Sequence, residues 1–136
     1  LHSIEMRDTF WSTVEHYYQA QKFVGSPDEK IIPLIHQAST PEEAAALGRC
    51  STHQIRSDWE AVKTQIMREA VLKKFSTHSD IKEILLSTGD KLLVEDSPND
   101  YFWGCGENKT GQNHLGQILM SVREEIRILL MKAVAN

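Results

Sequence analysis

Along most of this chain apolar residues fall at helical spacing, punctuated by residues that favour helix ends. Four capping-box patterns recur: Ser12 with Glu15, Ser26 with Glu29, Thr40 with Glu43, and Ser57 with Glu60. Pro27 and Pro41 take first helical positions, where a missing N–H costs nothing. Gly25, Gly48 and Gly89 read as stops, and Pro33 should kink or shorten the second helix. The longest helix is expected over about 58–75, with Trp59, Val62, Ile66, Ala70 and Leu72 or Lys73 tracking one side. A shorter one covers 80–87. The last starts near Asn113 and carries Leu115, Ile118, Leu119, Val122, Ile126, Leu129 and Leu130 as a broad core-facing stripe. Extended structure is expected at 91–95 and 101–103, flanking a turn at 97–100, and residues 1–10 could supply another strand. The pattern predicts a mainly helical α+β fold: one compact domain over 1–136 with a small sheet.

Composition narrows the classes. The chain has 136 residues, 40% hydrophobic and 25% charged, enough for a single buried core. A net charge of −4 argues against holding nucleic acid by phosphate neutralisation, while a local basic pocket for one small anion stays open. Cys50 and Cys105 form no CxxC, so neither a disulfide scaffold nor a zinc ribbon is suggested. No apolar run is long enough to span a bilayer and no signal-peptide pattern is present, giving a cytoplasmic expectation, or an organelle for part of a larger targeted protein. The six histidines show no ligand spacing, so no metal and no cofactor are expected.

Two stretches carry candidate chemistry. In WSTVEHYYQAQKF, residues 11–23, Glu15, Gln19 and Lys22 fall on one helical face, beside Val14, Tyr17, Tyr18 and Val24. One reading has Glu15 closing a capping box with Ser12 and Lys22 as a solvated charge. The other has acid, amide and amine lining a pocket walled by tyrosines, where burial tunes the carboxylate and amine for proton transfer or cation stabilisation. In the second stretch, Asp100 to Gly116, glycines crowd a strand-to-helix junction, and the helix N-terminus offers free N–H groups to an anion. It is not a Walker loop, because Gln112 and Asn113 replace the lysine and hydroxyl residue. Trp59 and Trp103 are either core residues or stacking platforms. Arg49 and Arg56 could grip a phosphate.

At these same stretches the sequence resembles the YbiA-like, or NADAR domain, family. The matching residues are 11–23, Leu47-Gly48-Arg49, Arg56-Ser57-Asp58-Trp59, Lys74-Phe75, Thr88-Gly89-Asp90 and Leu93-Val94-Glu95. The match continues through Asp100, Trp103-Gly104-Cys105-Gly106 and 111–116 to Leu119-Met120 and Arg123-Glu124. The resemblance implies a mostly helical N-glycosidase cleaving a bond between ribosyl C1 and an amine nitrogen. One family branch hydrolyses phosphoribosylamino-pyrimidine intermediates of riboflavin biosynthesis, a clean-up of reactive metabolites; another removes ADP-ribose from guanine in nucleic acid. The small substrate is the first expectation, ADP-ribosylated nucleic acid the second, and a non-catalytic nucleotide- or ADP-ribose-binding module the third. By resemblance Glu15 is the essential glutamate and Trp59 the ligand-contacting tryptophan. Lys22 and Asp100 join Glu15 as catalytic candidates, and Tyr18, Gln19, Arg49, Trp103, Gly104 and Asn113 join Trp59 around the substrate. Relatives carry an upstream Ser-Asn-Phe segment that nothing before Phe10 matches, so the chain is expected to lack it.

Overall fold

The computed structural model describes residues 2–95, 102–106 and 111–135. The chain divides into two compact units, Leu1–Thr77 and His78–Asn136. No helix among the described residues is long and apolar enough to cross a membrane.

The first unit opens with an antiparallel hairpin, β1 (Ile4–Met6) and β2 (Thr9–Trp11), with Ile4 opposite Trp11 and Met6 opposite Thr9. Arg7 and Asp8 form its turn with φ of 53° and 66°, the left-handed pair whose twist matches the two strands. This hairpin is the small sheet. The expected partner strands at 91–95 and 101–103 do not form one: 91–95 has no ladder, and Tyr101 lies outside the described residues. Spacing alone does not separate a strand from an extended connector, and here the connector's hydrogen bonds go to single side chains and loop atoms.

Helix α1 (Val14–Gln21) follows at once. Its N-cap is Thr13, whose Oγ1 accepts from the His16 amide at 3.2 Å. The expected capping box with Ser12 is therefore not the one built, and the Glu15 carboxylate is released from that duty. A 3-10 turn (Glu29–Ile31) leads into α2 (Ile32–His36), which carries Pro33 in its first turn, as a shortened second helix should. Helix α3 (Pro41–Arg49) is capped as its sequence predicts: Thr40 Oγ1 accepts from the Glu43 amide, and Glu43 Oε2 accepts from the Ser39 amide. Helix α4 (Trp59–Thr77) closes the unit.

The core gathers Ile4, Trp11, Tyr17, Ala20, Phe23, Ile31, Ile35, Ala44 and Ala70, with Phe23 and Ile35 fully buried. Helix α1 runs through the middle of it, against α2, α3 and α4. His16 pins this arrangement. Its Nε2 lies 3.0 Å from the Ala38 carbonyl, which only accepts, so Nε2 carries the proton. Nδ1 is hydrogen-bonded to the Thr13 hydroxyl at 2.7 Å. One buried imidazole thus ties the start of α1 to the segment that leads into α3.

In the second unit, α5 (Ser79–Ser87) and α6 (His114–Ala135) pack together. Ile118, Val122 and Ile126 are the buried stripe of α6, one residue per turn. The stripe is narrower than expected, because Leu129 and Leu130 are exposed. Buried Arg123 donates from Nη1 to Thr88 Oγ1 at 2.8 Å and to the Lys91 carbonyl at 2.9 Å, fastening α6 to the turn after α5.

Candidate active site

Glu15 stands in the first turn of α1 with its side chain 30% exposed. Gln19, one turn on, is 1% exposed, and its Nε2 donates to Glu15 Oε1 at 2.7 Å. Arg49, at the end of α3, brings Nη2 to 4.0 Å from the same oxygen. Glu15 and Arg49 share the wall of an open cleft of about 360 Å³ with Pro41, Glu42 and Ala45. A carboxylate so placed is largely desolvated, lies near an arginine, and among the described residues is held by a donor on one oxygen only.

Lys22 follows α1 on the same face. Burial pushes its pKa below the ordinary lysine value, nearby Arg49 and Lys63 push the same way, and Glu15 opposes them. Its Nζ lies 5.8 Å from the centroid of the Tyr18 ring. Tyr18 packs edge-on against Trp59, with centroids 5.0 Å apart. At 6% and 4% exposure, these two rings have little surface left for a stacked base. Lys63, one turn beyond Trp59 on α4, was not singled out by the sequence reading. Its side chain is 14% exposed and pairs with Glu60 at 2.7 Å. The signal was available, since positions four apart share a helical face.

Gly48 also acquires a role other than the expected stop. It lies inside α3, one residue before the end, and a Cβ there would sit 2.0 Å from Gln19 Oε1. Glycine lets α3 close onto the Gln19 amide, and the same approach delivers Arg49. Gln19 Oε1 itself finds no hydrogen-bond partner among the described residues, a deficit worth about 1–3 kcal/mol for a buried amide oxygen.

The remaining candidates belong to the second unit. The segment 102–105 turns its carbonyls on the start of α6: Phe102, Trp103 and Gly104 accept from the amides of His114, Leu115 and Asn113, each at 2.9 Å. The expected free N–H groups are therefore occupied by backbone, and the helix start is not an open anion cradle. Gly104 is buried, and Gly111 permits the contact, since a Cβ on it would lie 2.6 Å from the Gly104 carbonyl oxygen. Asn113, at φ 52°, donates from Nδ2 to the Leu93 carbonyl at 2.9 Å and accepts at Oδ1 from the Glu95 amide at 2.7 Å. Both ends of its amide thus hold the 93–95 backbone. Trp103 packs edge-on with Phe102 at 4.7 Å, and Phe102 stacks on His114 at 4.1 Å. Asp100 lies outside the described residues.

A partly buried carboxylate held by a buried amide, with a lysine whose charge burial disfavours on the same face, is chemically able to steady a positive charge. The chain belongs to the NADAR domain family, whose model matches residues 1–127. It is 76% identical over 129 residues to N-glycosidase Npun_R5314 of Nostoc punctiforme, covering 95% of this chain and 83% of that protein. It is 43% identical over 125 residues to N-glycosidase YbiA of Shigella flexneri, covering 92% of this chain and 76% of that one. Identity is 47% over 139 residues with the chloroplastic riboflavin biosynthesis protein PYRR of Zea mays; the match takes in 92% of this chain but 22% of that much longer protein. The NMR structure of Escherichia coli YbiA superposes with a TM-score of 0.85 at 41% identity, over 95% of this chain and 75% of that one. The mainly helical fold with one small hairpin is the YbiA fold.

Proposed function

We propose that this chain is an N-glycosidase that hydrolyses the C1–N bond of phosphoribosylamino-pyrimidines of riboflavin biosynthesis. Water gives its hydroxyl to C1 and its proton to the departing nitrogen, releasing ribose 5-phosphate and the free aminopyrimidine. Relatives named as N-glycosidases support the bond type, and a relative named for riboflavin biosynthesis supports the substrate class. The observation that carries the reading is the Glu15 carboxylate, fixed by Gln19 at 2.7 Å and open to the cleft beside Arg49.

The chemistry follows from charge. As the C–N bond stretches, positive charge grows on C1 and the ring oxygen, giving an oxocarbenium-like transition state. Glu15 steadies that cation and orients the attacking water. Arg49, on the wall of the same cleft, is the proposed partner of the substrate phosphate. Lys22, with part of its proton affinity removed by burial, hydrogen-bonds the ribose and is suited to capture the ring-opened aldehyde as a Schiff base.

The test is Glu15→Gln, assayed for ribose 5-phosphate release from the pyrimidine intermediate, with ADP-ribosylated DNA run in parallel. Glutamine keeps an acceptor for the Gln19 amide, so the fold should hold, while turnover falls by about 10²–10⁴-fold. Turnover within threefold of the parent would remove Glu15 from the mechanism. Release of ADP-ribose alone would move the substrate to the nucleic-acid branch.

A further inference from the structure

Gln19 stands on the catalytic face of α1, where a substrate contact would be the natural assignment. The geometry points to a different role: we propose that Gln19 is a positioning residue for Glu15, and that Gly48 is glycine so that its amide can reach that position. The proposal rests on the reading of Glu15 as the catalytic carboxylate.

Burial rules out direct contact with a ligand, because Gln19 is 1% exposed. Packing alone does not account for it either. A methionine or leucine would fill the same space without leaving an amide oxygen unpaired. What the amide gains is the Nε2–H bond to Glu15 Oε1 at 2.7 Å. The reverse amide orientation is disfavoured, since it would set two oxygens against each other at that distance. With nitrogen toward Glu15, Oε1 must point at α3, and there the missing Gly48 side chain leaves it room: a Cβ would sit 2.0 Å from Oε1 and 2.8 Å from Cδ.

The consequence is an asymmetric carboxylate. Gln19 and Arg49 both address Oε1, at 2.7 and 4.0 Å, and Oε2 takes no hydrogen bond among the described residues. Oε2 is thus the oxygen left to face an electron-poor carbon or a water. Among the described residues, Lys22 interacts electrostatically with Glu15 and is itself influenced by Lys63 of α4, while Glu42 lines the same cleft as Glu15. Among the described residues the neutral Gln19 amide, at 2.7 Å, makes the shortest contact with the carboxylate and is the group placed to set its rotamer.

Three variants test this, with kcat, KM and thermal stability measured for each beside Glu15→Gln. Gln19→Met keeps the volume and removes the donor; kcat should fall at least tenfold with KM held within about twofold. Gly48→Ala displaces the amide without deleting it and should also lower kcat. In a Gln19→Ala background, with the amide gone, Gly48→Ala should cost no further kcat. A structural role alone would lower stability and leave kcat intact in Gln19→Met. Equal kcat losses from Gly48→Ala in both backgrounds would likewise overturn the proposal. A readout independent of turnover keeps it separable from the proposed function. The Gln19 side-chain amide protons should exchange slowly with solvent and shift in Glu15→Gln; exchange as fast as a surface glutamine would show that the clamp does not exist. If Glu15→Gln retains turnover while those protons behave as expected, the functional reading fails and the clamp stands as a structural contact only.

Discussion

Lys22→Met separates a chemical use of the amine from a structural one. Methionine keeps an unbranched stem and deletes the ammonium. What is lost is the contact of the charge with the Tyr18 ring, at 5.8 Å from the centroid and about 0.5–1 kcal/mol for a pair of this kind. What is gained is relief from burial of a charge and from repulsion by Arg49 and Lys63, the causes that depress its pKa. The two sides oppose, so the melting temperature should hold or rise, with no fall beyond roughly 4 °C, the equivalent of about 1 kcal/mol in a domain of this size. Turnover should fall about 10²-fold or more. The pH dependence has a definite sign. A folded-state pKa below the ordinary 10.5 means that the unfolded chain holds this proton more firmly. The penalty is complete below the folded value, shrinks as pH rises through it, and is gone above the unfolded value. The stability of the variant relative to the parent should therefore be most favourable near neutrality and fade toward alkaline pH. Thermal unfolding across that range, with ribose 5-phosphate release at neutrality, measures both. A drop of many degrees with turnover preserved would make Lys22 a structural cation and refute the reasoning.

Two other substitutions ask whether aromatic and amide candidates serve the ligand or the fold. Trp59→Phe should lower stability by about 1–2 kcal/mol, through lost buried area and a weakened edge contact with Tyr18, and leave KM within twofold. A tenfold rise in KM at unchanged melting temperature would return the indole to the binding site. Asn113→Ala removes two backbone hydrogen bonds and puts a Cβ at φ 52° without an amide to stabilise it, for a loss of about 2–4 kcal/mol in urea unfolding. Asn113→Gly relieves the backbone and should recover about 1 kcal/mol of that; equal losses in both would mean that strain plays no part.

Much of this was legible because local rules decide it. Helices α4 and α5 start and stop within two residues of their expected bounds, and α6 starts one residue from its expected beginning, since caps, glycines and apolar spacing act over a single turn. The Thr40 cap of α3 formed as read, with the Glu43 carboxylate returning to the Ser39 amide, one residue before the cap. The larger failures are non-local. Glu15 was offered a local partner in Ser12, and took Gln19 because Thr13 had become the cap. Gly48 looked like a stop because a sequence does not display the side chain from another helix that fills its missing Cβ position. Asn113 and the amides after it looked available to an anion; their partners, residues 93–95 and 102–104, lie far back along the chain. Lys63 was overlooked among surface charges, although its helical register with Trp59 was readable.

The crowding of polar groups on α1 then has a physical account. A central helix contacts three others, so its residues are buried whether or not they are apolar. His16 is tolerated because both ring nitrogens are used, and Gln19 because half of its amide is. Those fixed neighbours give Glu15 and Lys22, on the edge of the same helix, a low-polarity wall and a set orientation. In bulk water a carboxylate's attraction for a growing cation is screened to about 1 kcal/mol at 4 Å; beside such a wall it is several-fold larger. On the proposed function, packing and chemistry are therefore one arrangement. A substitution that loosens the α1–α3 contact should be read first in turnover and only afterwards in unfolding.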